Sequence, residues 1–197
     1  MILTVTMNAS VDITYVMDEL KTDGTNRVAN VTKTAGGKGL NVTRVLKQVH
    51  ADVTAAGLAG GYNGKFIQRE LKRQGIPSEF CEIASESRNN ISIIHGKHCT
   101  EILERGEKVQ KEELQRFCGQ YERLLDNAST VVLSGSLPQG AAPDFYASLV
   151  KTALQKKRKV ILDTSGDCLR ESLHSVYKPF LIKPNEKELE ELTGQKL

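Results

Sequence analysis

The chain has 197 residues, 39% hydrophobic and 26% charged, and a formal charge of only +3. That balance suits one sizeable globular core and excludes a strongly basic nucleic-acid binder, and five Phe, five Tyr and no Trp leave no base-stacking platform. No apolar run approaches membrane-spanning length, the opening Met-Ile-Leu-Thr-Val-Thr is too short and too alternating for a signal peptide, and four widely spaced cysteines without a Cys-x-x-Cys pair read as reduced thiols of a cytoplasmic protein.

In chain order, apolar runs at residues 2–5, 53–58, 131–133, 160–162 and 180–182 predict strands. Helical stripes lie between them. Val42, Val45, Leu46 and Val49 follow a glycine-rich turn; Phe66, Ile67 and Leu71 precede a stop at Gly75. Leu114, Phe117, Cys118, Tyr121 and Leu125 form a third stripe, and Phe145, Tyr146, Leu149, Val150 and Ala153 a fourth. The basic run from Lys156 to Lys159 reads as a solvated helix end. Strands alternating with helices predict an α/β fold with a doubly wound, mostly parallel sheet. Residues 11–31 and 90–103 break the pattern, alternating apolar and polar residues without a helical stripe. Ile91, Ile93 and His95 would face one side there, Ser92 and Ile94 the other. They read as extra strands, either surface hairpins or a small β-lid.

The stretch Thr34-Ala35-Gly36-Gly37-Lys38-Gly39-Leu40-Asn41 carries the clearest chemistry. Glycines let backbone approach a ligand, a helix N-terminus offers unpaired N–H groups, and Lys38 adds a charge. A phosphorylated polyhydroxyl molecule fits such a site; a tight turn with a solvated lysine fits it too. The stretch matches neither a Walker A loop nor a dinucleotide fingerprint. Ligands of open α/β sheets sit at the carboxyl ends of strands. Four polar clusters follow predicted strands: Asn8 with Asp12, Ser134-Gly135-Ser136, Asp163, and Lys183-Pro184-Asn185.

The motifs Asn8-Ala9-Ser10-Val11-Asp12, Ala35 to Asn41, Gly135-Ser136-Leu137-Pro138, Leu162-Asp163 and Lys183-Pro184-Asn185-Glu186-Lys187-Glu188 occur in the order found in the ribokinase-like (PfkB) carbohydrate kinases, and across the whole chain the sequence resembles that family. Its wording is most similar to the tagatose-6-phosphate kinases, through Val31-Thr32-Lys33-Thr34, Ser87-Arg88-Asn89 and Thr100 to Glu104, with the fructose-1-phosphate kinases next. The resemblance implies one kinase domain over residues 1–197, lid segments at about 11–31 and 90–103, and a homodimer formed through the lid. It implies transfer of phosphate from ATP, with Mg2+, to tagatose 6-phosphate, a step of lactose and galactose catabolism. Asp12, Gly36, Gly37 and Asn41 would line the sugar site, and Lys38 and Arg88, helped by Arg27, would hold the existing phosphate. Lys183, Asn185 and Glu188 would serve the nucleotide phosphates, with Asn185 and Glu188 organising Mg2+ through water. Taken alone, Arg88 is as well explained by a surface salt bridge, and Glu186 to Glu191 by an acidic first helical turn. The family's Gly-Ala-Gly-Asp-type stretch, which bears the general base, has no counterpart here. The expected base therefore lies beyond Leu197, and a non-catalytic sugar-phosphate-binding remnant is the competing expectation.

Overall fold

The computed structural model describes residues 1–196. Six parallel strands form the main sheet in the order β10-β9-β8-β1-β4-β5: β1 (Ile2–Thr6), β4 (Val53–Gly60), β5 (Ser78–Ile83), β8 (Thr130–Ser134), β9 (Lys159–Asp163) and β10 (Leu181–Ile182). Each predicted run becomes one of these strands. Their apolar residues alternate between two cores because successive side chains of a strand point to opposite faces. Ala55 joins Leu40, Ile67 and Leu71 of α1 (Lys38–Gln48) and α2 (Gly61–Arg73). Leu3, Val5, Ala56 and Leu58 join Phe117 and Tyr121 of α3 (Lys111–Leu124), Tyr146 and Leu149 of α4 (Phe145–Gln155), and Leu169 of α5 (Gly166–His174). A short helix, α6 (Glu186–Thr193), follows β10.

The stripe predicted on α1 is not the face it buries. Gly39, Leu40 and Thr43 are buried, whereas Val45 and Val49 are 57% and 67% exposed. The cause is close packing. A Cβ on Gly39 would meet the Val5 carbonyl oxygen at 2.8 Å, and Thr43 Oγ1 lies 2.6 Å from Thr4 Oγ1. Small residues bring α1 onto β1, and larger apolar side chains are turned away.

The irregular segments make a second sheet, order β3-β2-β6-β7, from β2 (Ser10–Met17), β3 (Asn30–Gly36), β6 (Arg88–His95) and β7 (His98–Leu103). It is mixed: β2 and β6 run parallel at its centre, flanked by antiparallel β3 and β7. Ile13, Tyr15 and Ile91 pack with Phe66 and Ile67 of α2. Residues of the other parity, including Asp12, Thr14, Asn90 and Ser92, form the opposite, polar face. Residues 18–29, inside the first predicted lid segment, form a connection rather than a strand.

From β1 the main sheet grows through β4 to β5 on one side, and from β8 through β9 to β10 on the other. Its switch point thus lies between β1 and β8. A crevice is expected outside their carboxyl ends, at Met7–Asn8 and Gly135–Ser136.

Candidate active site

The glycine turn brings the second sheet onto this crevice. Gly37 is the N-cap of α1 with φ 118°, a left-handed backbone that favours glycine, and a Cβ there would lie 2.6 Å from Thr6 Cγ2. Gly36 closes β3 opposite Ser10. A Cβ on Gly36 would fall inside the Asp12 carboxylate, far below the 3.0 Å that real Cβ contacts respect. Asp12 can lie flat over this backbone only because the position is glycine.

The Asp12 carboxylate is held from two sides. Its Oδ1 accepts hydrogen bonds from Ser10 Oγ at 2.8 Å and from Asn90 Nδ2 at 3.1 Å. Asn90 stands opposite Asp12 in the parallel β2–β6 register, and its Oδ1 accepts from Arg88 Nη1 at 2.8 Å. One amide therefore ties the carboxylate to the guanidinium. Arg88 also donates from Nε to the Asn8 carbonyl oxygen at 3.2 Å and from Nη1 to that of Glu104 at 2.9 Å. Half-burial pushes the Arg88 pKa below its ordinary value while Asp12 and Glu104 pull it back up, so the group keeps its charge. Arg44 on α1 likewise feels burial first and Asp12 second. It donates to the Ala35 carbonyl and to Asn41 Oδ1. Asp12, Gly36, Asn41 and Arg88 are thus joined in one cluster. Asn90 and Arg44 belong to it and had no motif to announce them; pairing β2 with β6 in parallel would have placed Asn90.

Lys38 sits elsewhere. As the first residue of α1 it points its ammonium toward Asp163 Oδ1, at 3.5 Å, and Glu188 Oε1, at 3.9 Å. Lys183 Nζ lies 3.7 Å from the same Asp163 oxygen. Arg27 is exposed on the β2–β3 connection and makes no hydrogen bond or ion pair with the described residues. Asn185 and Glu188 form a capping box at the start of α6. Asn185 Oδ1 accepts from the Glu188 N–H at 2.8 Å, and Glu188 Oε2 from the Asn185 N–H at 3.0 Å. This is the arrangement of an acidic first helical turn with its N-cap, and the second oxygen of Glu188 is turned to Lys38.

Asp163 ends β9, and its buried Oδ1 accepts no hydrogen bond. Its Oδ2 accepts only a long bond, 3.4 Å, from Ser134 Oγ. A buried carboxylate oxygen without a hydrogen-bond donor fits a hard cation. Among the described residues no group of three or more His, Cys, Asp or Glu is placed to hold a metal ion by itself. His95 and His98 face each other at the tip of β6 and β7 with ring centroids 5.8 Å apart, and among the described residues they belong to no group of three that could hold a metal.

The profile of the pfkB family carbohydrate kinases matches residues 5–197. Among solved structures, the chain is similar to phosphofructokinase-2 from Escherichia coli in complex with fructose-6-phosphate, with a TM-score of 0.92 and 26% identity over 100% of this chain and 65% of that one. A candidate phosphofructokinase of Staphylococcus aureus is 34% identical, with a TM-score of 0.82, over 100% and 63% of the two chains. A candidate 1-phosphofructokinase of Thermotoga maritima is 28% identical, with a TM-score of 0.89, over 94% and 60%. The chain therefore spans less than two thirds of the length of these structures. No helix among the described residues is long and apolar enough to cross a membrane.

Proposed function

The chain belongs to the pfkB family of carbohydrate kinases, and we propose that residues 1–197 carry the acceptor side of an ATP- and Mg2+-dependent kinase for a ketohexose monophosphate. Tagatose 6-phosphate and fructose 1-phosphate are the two acceptors the reading admits. The observation that carries it is the Asp12–Asn90–Arg88 chain laid over Gly36. It offers a carboxylate to accept from sugar hydroxyls, a backbone without Cβ for close approach, and a guanidinium for a phosphate, side by side where the second sheet meets the glycine turn.

In this reading the sugar lies between the polar face of the second sheet and the turn at Gly36 and Gly37. Asp12 orients its hydroxyls and Asn41 adds an amide contact. Arg88 anchors the existing phosphate, so the free hydroxyl projects toward Lys38. Asp163, Asn185 and Glu188 would hold magnesium through water, a charge that would offset that of the nucleotide phosphates when bound. Lys38 serves the phosphoryl group in transfer rather than the existing phosphate, because its ion pairs place its ammonium among those carboxylates. Lys183 adds a second charge there. Transfer also requires that a general base take the proton of the acceptor hydroxyl. Most of the catalysis is positioning and charge stabilisation.

The polar face of the second sheet also leaves Val16 and Ile94 46% and 40% exposed in one cross-strand row. Pairing of two such faces into a homodimer is part of the same reading. The test is calorimetry of the protein with tagatose 6-phosphate, fructose 1-phosphate, fructose 6-phosphate and the unphosphorylated sugars. Preference for a phosphorylated ketohexose is expected, and equal binding of phosphorylated and unphosphorylated forms would overturn the reading.

A further inference from the structure

We infer that Arg105 is a second cation of the acceptor's phosphate subsite, a specificity-determining partner of Arg88; this rests on the ketohexose-phosphate reading above. A phosphate monoester carries close to two negative charges at neutral pH. Arg88 cannot match that alone. Its Nε and Nη1 are spent on the carbonyl oxygens of Asn8 and Glu104 and on Asn90 Oδ1, which leaves only Nη2 for a ligand. Lys38 is drawn to Asp163 and Glu188, and Arg27 stands on an exposed connection.

Arg105 lines the same cavity as Arg88. The cavity holds about 470 Å³ and opens outside the carboxyl ends of β8 and β9. Its wall includes Asn8, Ser136, Gln139 and Ser165. The backbone that presents Arg105 is pinned on both sides. The Arg105 carbonyl accepts from Asn8 Nδ2 at 3.4 Å, the Gly106 carbonyl from Gln139 Nε2 at 2.6 Å, and the Gln139 carbonyl from the Val109 N–H at 2.8 Å. The side chain itself is exposed and makes no hydrogen bond or ion pair with the described residues.

The neighbouring carboxylate does not neutralise it. Glu104 is turned to Asn89, accepting from its backbone N–H at 2.7 Å and its amide at 3.2 Å. Ser136 Oγ accepts from Asn8 Nδ2, so its own proton stays available for an anion. Ser165, the N-cap of α5, makes no capping hydrogen bond with its side chain. A fixed loop thus holds one uncommitted guanidinium beside a second that is nearly saturated, with hydroxyl donors on the facing wall. This arrangement suits one phosphate bridged by two arginines.

The experiment is calorimetry on wild type, Arg105→Gln, Arg105→Lys and Arg88→Ala, each with tagatose 6-phosphate, fructose 1-phosphate and unphosphorylated tagatose. Arg105→Gln is expected to weaken the phosphorylated sugars by about tenfold to a hundredfold, the effect of removing one charge-assisted interaction, while leaving weak tagatose binding unchanged. Arg105→Lys should recover part of the loss, since it restores charge without the fork. An Arg105→Gln protein that keeps the wild-type ratio of phosphorylated to unphosphorylated affinity overturns the inference; if Arg88→Ala then loses that ratio, the ketohexose-phosphate reading survives. Wild type without any such ratio overturns both. Melting curves close to wild type are expected for the Arg105 variants, because the exposed side chain makes no hydrogen bond or ion pair with the described residues.

Discussion

Replacing Gly36 by alanine tests the sugar site through one added methyl group. The new Cβ cannot coexist with the Asp12 carboxylate in its present position. The carboxylate must swing away and give up the bonds from Ser10 Oγ at 2.8 Å and Asn90 Nδ2 at 3.1 Å. Hydrogen bonds to a charged group are worth about 1.5–3 kcal/mol each, so losing a single sugar contact from Asp12 raises Kd about tenfold to a hundredfold. The fold should suffer less. Gly36 does not have a left-handed φ, so the cost is local overpacking of about 1–3 kcal/mol, or a Tm lowered by roughly 2–10 °C for a chain of this size. Gly37→Ala makes the contrast: its φ of 118° adds about 1–2 kcal/mol of backbone strain to the contact with Thr6, so its Tm should fall further. Calorimetry with tagatose 6-phosphate and fructose 1-phosphate, together with melting followed by circular dichroism, separates the two effects. A Gly36→Ala protein that binds phosphorylated sugars as wild type does would refute the role given to Asp12.

Three further outcomes follow from the same geometry. Lys38→Met removes an ammonium that competes with any cation at Asp163 and Glu188; because Lys38 is half exposed, the expected gain is only about two- to fivefold in Mn2+ affinity by paramagnetic titration, and no change would separate Lys38 from the ion site. Ile94→Glu places a charge on the exposed polar face of the second sheet and should shift a dimer toward monomer in sedimentation velocity; an unchanged profile would remove that face from the interface. Burial raises the pKa of Cys81, Cys118 and Cys168, so at pH 7–8 they hold less thiolate, and exposed Cys99 should react with a disulfide reagent well before them. Rates for the three should climb as pH rises toward their raised pKa values, and equal rates for all four cysteines at pH 7.5 would contradict the packing.

The main sheet was legible because parallel strands buried on both faces read as short apolar runs, and five such runs became five of its six strands. The sixth, β5, reads Ser-Glu-Phe-Cys-Glu-Ile, an edge strand whose polar residues fall on both faces, so no apolar run marks it. The second sheet was legible as alternation, but its parallel centre was not. Pairing between residues about 80 apart leaves no trace in local pattern, and with it went the contact of Asn90 with Asp12. The stripe on α1 misled because the helix packs through Gly39 and Thr43, whose small size permits close approach and whose polarity hides the buried face. For the site, the glycine turn, Asp12 and Arg88 could be named from motifs. The partners of Lys38 could not, because Asp163 and Glu188 converge on it from the end of β9 and from α6. Spacing in the chain says nothing about that meeting.

A crystal structure of the protein grown with tagatose 6-phosphate tests the account most directly. Sugar hydroxyls are expected within hydrogen-bonding distance of the Asp12 carboxylate, with the ring stacked over the Gly36 backbone and the phosphate against Arg88. A sugar bound with its phosphate on Lys38 and Lys183 instead, and Asp12 free of it, would contradict the acceptor site described for this chain.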